Sequence, residues 1–291
     1  VTAAGDYLTV NAHKNADLFW ALRGGGGGTY AVVVSATYRT HETFPLTAFN
    51  FMANFTSAEV AQSVVTEFVK MHPALADAGW GGYSFVARDV GLAFLYVAPN
   101  ISLAEANATM QPFINFAANA TGAAMAFQFV PYDSFHAWYT TSFTSPGQVG
   151  NNEEMGSRLL PRDQAENNPE EVAEIMLAVD GGVAIKYVYP HQSFFLLLLI
   201  ELHHSFVAGG AVSGVDPDAV GLNPDWRKAL AHVLFTEKWQ QGDSAAVIQE
   251  ARRRNRANLD ILDRIAPGSS AAYFNEVSSV DASLVLISHS C

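Results

Sequence analysis

The spacing of apolar positions changes along the chain and divides it into helices and strands. Residues 15–22 read as a helix that runs into five consecutive glycines, Gly24 to Gly28, and Tyr30 to Val34 follows as a strand. Residues 1–43 thus read as hairpin, helix, glycine loop and strand. Ser57 caps a helix to about His72, with Glu59, Val60, Val64, Val65, Phe68 and Val69 at helical spacing. Strands at 83–88 and 91–97 flank the short Asp89-Val90 turn and form a hairpin. Ser102 and Glu105 have capping-box spacing, hydroxyl and carboxylate each satisfying a free amide, for a helix to about Asn119. A strand at 124–130, an aromatic-rich stretch (Tyr132, Phe135, Trp138, Tyr139, Phe143) and a polar loop at 144–156 come next. A helix from Pro169, strands at 183–189, 194–203 and 229–239, a long helix at 243–265 and a last strand at 271–275 complete the pattern. Helices mixed with hairpins, without strict strand-helix-strand alternation, predict an α+β fold on an antiparallel sheet.

Composition narrows the partners. The 291 residues are 49% hydrophobic, enough for a substantial core in one large or two medium units. A formal charge of −12 repels the phosphate backbone and argues against nucleic acid. The one basic cluster, Arg252-Arg253-Arg254 with Arg256, lies in a helical pattern and reads as a solvated helix face. Cys291 is the only cysteine, so the chain has no internal disulfide or paired-cysteine metal knuckle. No apolar run reaches membrane-spanning length. Sequons at Asn54, Asn100, Asn107 and Asn119 would accept glycans on a secretory route.

The order around the glycines matters as much as their number. Dinucleotide folds and phosphate loops put glycines after a strand and before a helix, and here the order is reversed. Taken alone the run is a turn. Hydrolase elbows, zinc-protease spacing and calcium loops are absent. His203 and His204 are adjacent in a strand pattern, which sends them to opposite faces and denies them a shared metal. No metal site is expected. His232 lies in the apolar strand Ala229-Leu-Ala-His-Val-Leu-Phe, where the bland reading is a structural imidazole and the functional one a titratable group on a sheet face. Tyr187 and Tyr189 would share a face, as core edge or as phenols near a substrate.

Several ordered motifs carry a resemblance. Val1-Thr2-Ala3 to Asp6, Asn15 through the glycine run, and Tyr30-Ala31-Val32-Val33 resemble the closing part of the FAD-binding domain, of the PCMH type, in berberine bridge enzyme-like flavin oxidases of the vanillyl-alcohol oxidase fold group. Gly156-Ser157-Arg158-Leu159-Leu160-Pro161-Arg162, Gly209-Gly210-Ala211-Val212-Ser213, Asn223-Pro224-Asp225-Trp226-Arg227-Lys228-Ala229-Leu230, and Ala266-Pro267-Gly268 with Tyr273-Phe274-Asn275-Glu276 resemble the substrate domain of its fungal secreted members. The resemblance implies residues 1–43 as the end of an FAD domain, 44–270 as a substrate domain and 271–291 as an altered return segment. It implies FAD as cofactor, an alcohol, sugar or related small molecule as substrate, molecular oxygen as acceptor and a secreted protein. Carried over by position, Gly24, Gly25, Gly26, Gly27, Gly28, Tyr30, Ala31, Val32 and Val33 line the ADP side of FAD, where bare backbone permits close approach. Ala31 departs from the family's usual glycine. His232, with Tyr187 behind it, is the candidate active-site group on a sheet expected to roof the flavin.

Two departures set the competing reading. The family's first FAD subdomain, with its flavin-tethering histidine, is expected upstream of Val1, and Val277 to Cys291 departs from the usual ending as translated intron would. The alternative is therefore a catalytically incomplete fragment, or a glycosylated secreted protein without chemistry of its own, for which no stable flavin is expected.

Overall fold

The computed structural model describes residues 1–121, 124–143, 152–179, 202–206, 208–274 and 276. Its strands are β1 (Leu46–Asn54), β2 (Gly81–Ala87), β3 (Gly91–Pro99), β4 (Met125–Tyr132), β5 (Glu153–Pro161), β6 (Leu202–Phe206) and β7 (Ala229–Lys238). They form one sheet in the order β4-β1-β3-β2-β6-β7-β5, and every neighbouring pair is antiparallel. The helices are α1 (Ala16–Leu22), α2 (Ala58–Asp77), α3 (Leu103–Thr121), α4 (Phe135–Ser142), α5 (Arg162–Asn167), α6 (Pro169–Ala178) and α7 (Ala245–Leu262). The expected α+β class holds.

Local chemistry starts the helices where the sequence places them. Ser57 Oγ accepts from Val60 N at 3.2 Å, and at α3 the reciprocal box closes, Ser102 N donating to Glu105 Oε2 at 2.9 Å and Glu105 N to Ser102 Oγ at 3.2 Å. Helices α2, α3, α6 and α7 then bury their apolar faces on one side of the sheet. Phe49 and Phe51 of β1, Phe94 of β3, Phe68 of α2 and Phe113 of α3 meet there, with ring centroids 5.0 Å apart for Phe51–Phe94 and 5.1 Å for Phe51–Phe113. Each such ring contact adds about 0.5–1.5 kcal/mol beyond the area it buries.

Two strands fall where the pattern predicts none, and both have a tertiary cause. On β1, Phe49 and Phe51 face the helices while Leu46 and Ala48 lie under Trp138 of α4 on the other face. A strand covered on both sides loses the alternation that would announce it. β5 begins inside the expected polar loop, because Glu154 and Arg158 point into the helix face and are neutralised there. Conversely, the expected strand at Tyr30 to Val34 joins no ladder. Val1 and Val32 exchange two backbone hydrogen bonds, of 2.9 and 2.7 Å, and Val32 to Val34 stay exposed. The N-terminal hairpin is likewise reduced to a single bridge, Asn11 with Lys14, and residues 271–274 run as coil. The expected strand at 183–189 lies outside the described residues, as does 194–203 except for the start of β6.

Candidate active site

The sheet face opposite the helices carries the candidate site. Strand register aligns one row across it: Asn50 on β1, Leu95 on β3, Tyr83 on β2, Ser205 on β6, His232 on β7 and Leu159 on β5. At one end α4 covers the face through Trp138, packed against Leu46 and Ala48. At the other end the cover is made by Trp226 and the segment from Ala271 to Phe274, with Glu276 beyond it. That segment is pinned to β5 by Leu159 N donating to Ala271 O at 3.0 Å and by Ser157 Oγ donating to Glu276 O at 2.5 Å.

His232 lies beneath this second cover. Its side chain is 2% exposed, with Tyr273 edge-on at 5.7 Å and Trp226 at 6.1 Å between ring centroids. Nδ1 stands 3.3 Å from Oε2 of Glu276, whereas the buried Nε2 has no hydrogen-bond partner among the described residues. Burial pushes the imidazole down to about 4, so the ring is neutral at pH 7. Burial also pushes the Glu276 carboxyl up from its ordinary value. A neutral ring beside a carboxylate keeps its proton on Nδ1, facing Oε2, and leaves the lone pair on Nε2. Glu276 itself is one-third exposed. Of the pair, the carboxylate is the group within reach of a ligand, and the imidazole stands behind it.

In the sequence Glu276 closes the Tyr273–Glu276 motif but is not named as a site residue. It is 44 positions from His232, and only the return of the chain over β5 and β7 brings the two together. Tyr187, the other candidate phenol, lies outside the described residues. His203 and His204 occupy successive register positions on β6, opposite Leu234 and Val233 of β7. No group of three or more metal-ligating side chains occurs among the described residues, and none of the described helices is long and apolar enough to cross a membrane.

The glycine run divides into two parts. Gly24 and Gly25 are small because the chain packs on itself: a Cβ on Gly24 would stand 2.6 Å from Leu222 Cβ, and one on Gly25 would stand 2.4 Å from Ala21 O. This seam holds α1 against the 216–222 loop, where Trp20 Nε1 donates to Asp218 O at 2.6 Å and Arg23 Nη2 to Ala219 O at 3.0 Å. Gly27 and Gly28 have nothing within 4 Å of an added Cβ, so their backbone is open. With Val32 and Val33 exposed beside them, that half of the run has room for a cofactor edge.

No protein-family model matches the chain. Among curated proteins it is 30% identical to an uncharacterized FAD-linked oxidoreductase of Arthroderma benhamiae over 291 residues, covering 95% of this chain and 47% of the relative. It is 28% identical to the FAD-linked oxidoreductase patO of Aspergillus clavatus, again over 95% of this chain and 46% of that protein. The chain therefore spans about half the length of the curated relatives it matches. Among solved structures, the VAO-type flavoprotein MtVAO615 of Myceliophthora thermophila superposes with a TM-score of 0.75 at 23% identity, over 96% of this chain and 48% of that one. Glucooligosaccharide oxidase of Acremonium strictum superposes with a TM-score of 0.68 at 17% identity, over 96% and 56%. The sheet, its helical cover and these similarities agree with the motifs read from the sequence: the chain belongs with the FAD-linked oxidoreductases and shares its fold with VAO-type and berberine bridge enzyme-like flavoproteins.

Proposed function

We propose that this chain forms the substrate side of an FAD-dependent oxidase acting on an alcohol, sugar or related hydroxyl-bearing small molecule. The observation that carries the reading is the His232–Glu276 pair on the sheet face away from the helices. When bound, FAD supplies the hydride acceptor, with molecular oxygen as the final electron acceptor. The open half of the glycine run together with Tyr30, Ala31, Val32 and Val33 would hold one edge of the cofactor, through backbone that no side chain shields.

Oxidising an alcohol carbon requires the hydroxyl proton to leave as the hydride does. Glu276 is placed to take it, because a carboxylate whose pKa is raised by burial is a stronger base than a solvated one. His232 holds that carboxylate in place through Nδ1, and its neutrality keeps it from forming the full ion pair that would weaken the base. Tyr273 and Trp226 exclude water around the imidazole.

The test uses the protein at the full length of its relatives, loaded with FAD and offered an alcohol and sugar panel. Glu276→Gln lowers kcat by roughly 10²–10⁴, the usual worth of a positioned base, without changing flavin content. His232→Ala lowers kcat less and shifts the acid limb of the pH profile. Unchanged turnover in both variants removes the pair from the mechanism. Secretion belongs to the same proposal, supported by the four sequons.

A further inference from the structure

Glu276 is held from two strands at once. Its Oε2 stands 3.3 Å from Nδ1 of His232 on β7, and its main-chain carbonyl accepts a hydrogen bond of 2.5 Å from Ser157 Oγ on β5. The register explains why both can reach it. Leu159 of β5 lies opposite His232 and Ser157 opposite Leu234, so Ser157 and His232 are diagonal neighbours on one face, roughly 7–8 Å apart at ordinary sheet geometry. A residue laid over these two can rest its backbone on the serine and its side chain on the imidazole.

Ser157 holds its partner from a fixed position. It is fully buried, and its own carbonyl accepts from Arg158 Nη1 at 2.7 Å. That guanidinium, turned to the helix side, is anchored on Asp263, with Nε 2.6 Å from Oδ1. Gly156, on the other side of the serine, lies so close under Phe235 that an added Cβ would stand 2.3 Å from Cζ of the ring. Both neighbours are thus locked on the helix face, and the hydroxyl between them projects toward the site from a rigid strand. The root of the return segment does not depend on this bond. Ser269 Oγ donates to Asp225 Oδ2 at 2.6 Å and Leu159 N to Ala271 O at 3.0 Å. Nearer the tip, Glu276 N donates to Tyr273 O at 2.9 Å, which shapes a turn, and the Ser157 hydroxyl seats that turn on β5.

We propose that Ser157 is a positioning residue for the proton-accepting step, holding the Glu276 backbone so that its carboxylate stays against His232 and aimed at the substrate hydroxyl. The inference rests on the oxidase reading and adds to it a residue that acts through Glu276. One intramolecular hydrogen bond is worth about 2- to 13-fold in an equilibrium, whereas an ångström of misplacement at a reacting group costs roughly 100-fold in rate. Losing the hydroxyl is therefore felt more in chemistry than in folding.

The experiment uses the full-length, FAD-loaded protein and follows the loss of oxidised-flavin absorbance after anaerobic mixing with benzyl alcohol, 1-hexanol or cellobiose. Ser157→Ala lowers the limiting rate of flavin reduction by roughly 10- to 100-fold, while the substrate dissociation constant stays within about twofold. Ser157→Thr, which keeps the hydroxyl, keeps most of the rate. In a Glu276→Gln background Ser157→Ala has no further effect, because the group it positions is already disabled. Hydrogen exchange in the peptide spanning 271–276 quickens in Ser157→Ala and stays near wild type in Ser157→Thr. Flavin content and unfolding midpoint remain close to wild type in all variants, since the root of the segment keeps its own bonds. An unaltered rate in Ser157→Ala overturns the inference, as does a threonine variant as slow as the alanine one. An equal further loss in the Glu276→Gln background also overturns it, and so does loss of flavin or of the folded protein in Ser157→Ala, which would make the serine a residue of the fold alone. Undiminished reduction by Glu276→Gln, or no reduction by any of the three compounds, strikes the oxidase reading and the inference with it; the exchange result shows separately whether Ser157 seats the segment.

Discussion

Buried histidines set the pH response of single residues. His72 on α2 is fully buried, its Nε2 2.7 Å from the Tyr96 hydroxyl and its ring edge-on to Phe68 at 4.4 Å. Burial pushes it down to about 4, as it does His232. An unfolded imidazole titrates near 6.5, so on acidification the unfolded chain takes up these protons first. The stability His72 contributes is therefore complete above about pH 6.5 and is lost as pH falls toward 4, by about 3 kcal/mol for a shift of this size. The unfolding midpoint should drop across that window, and His72→Gln, which keeps a partner for Tyr96 without titrating, should flatten the drop. An equal slope in the variant assigns the effect elsewhere. His232 was visible in the sequence as an isolated polar residue in an apolar strand. Its partner was visible only as the end of the Tyr273–Glu276 motif, with no role attached, since nothing in the sequence brings an acid 44 positions away to the imidazole.

At the scale of elements, α7 is the informative case. Its arginines read as a solvated face, and the structure divides them: Arg253 bonds Glu250 on the surface, whereas Arg252 and Arg254 reach buried acids. Glu154 of β5 and Glu237 of β7 are direct register partners, 7% and 1% exposed, and two like charges so placed repel. Arg252 Nε stands 3.0 Å from Glu154 and Arg254 Nη2 2.9 Å from Glu237, so the helix neutralises the strand pair it covers. Arg254→Met should cost ~2–3 kcal/mol, less than for a wholly buried pair because the arginine side chain is 41% exposed. Adding Glu237→Gln should recover much of that loss in denaturant midpoints; no recovery would show that packing of the arginine stem dominates. Elements with their own start signals, such as α2 and α3, were legible from sequence because capping is local. β1 and β5 were not, since their partners and the charges that balance them come from distant segments.

Across the whole molecule, the sequons separate from the site. Asn54 and Asn100 lie at opposite ends of the β1–β3 pair and Asn107 and Asn119 on α3, all exposed. His232 stands on β7, four places along the sheet from β1, about 19 Å at ordinary strand spacing. Glycans there would leave the His232–Glu276 pair clear. Expression of the full-length protein through a fungal secretory route should give a mass that falls on endoglycosidase treatment, with Asn→Gln at each occupied position removing one step; a mass that enzyme treatment leaves unaltered rejects glycosylation and removes the support the sequons lend to secretion.

The amino-acid order alone was enough for the α+β class, the capped helices, the central hairpin and the family, because these rest on periodicity, local hydrogen bonds and contiguous motifs. It also supplied His232 and the glycine run as candidates. Only the tertiary structure decided what each does: Gly24 and Gly25 are small for the sake of Leu222 and Ala21, and His232 stands behind Glu276. Likewise, Phe143 meets Tyr83 only because α4 lies across β1 and β3. Such contacts join residues tens of positions apart, and their energies depend on burial and register that no local pattern encodes.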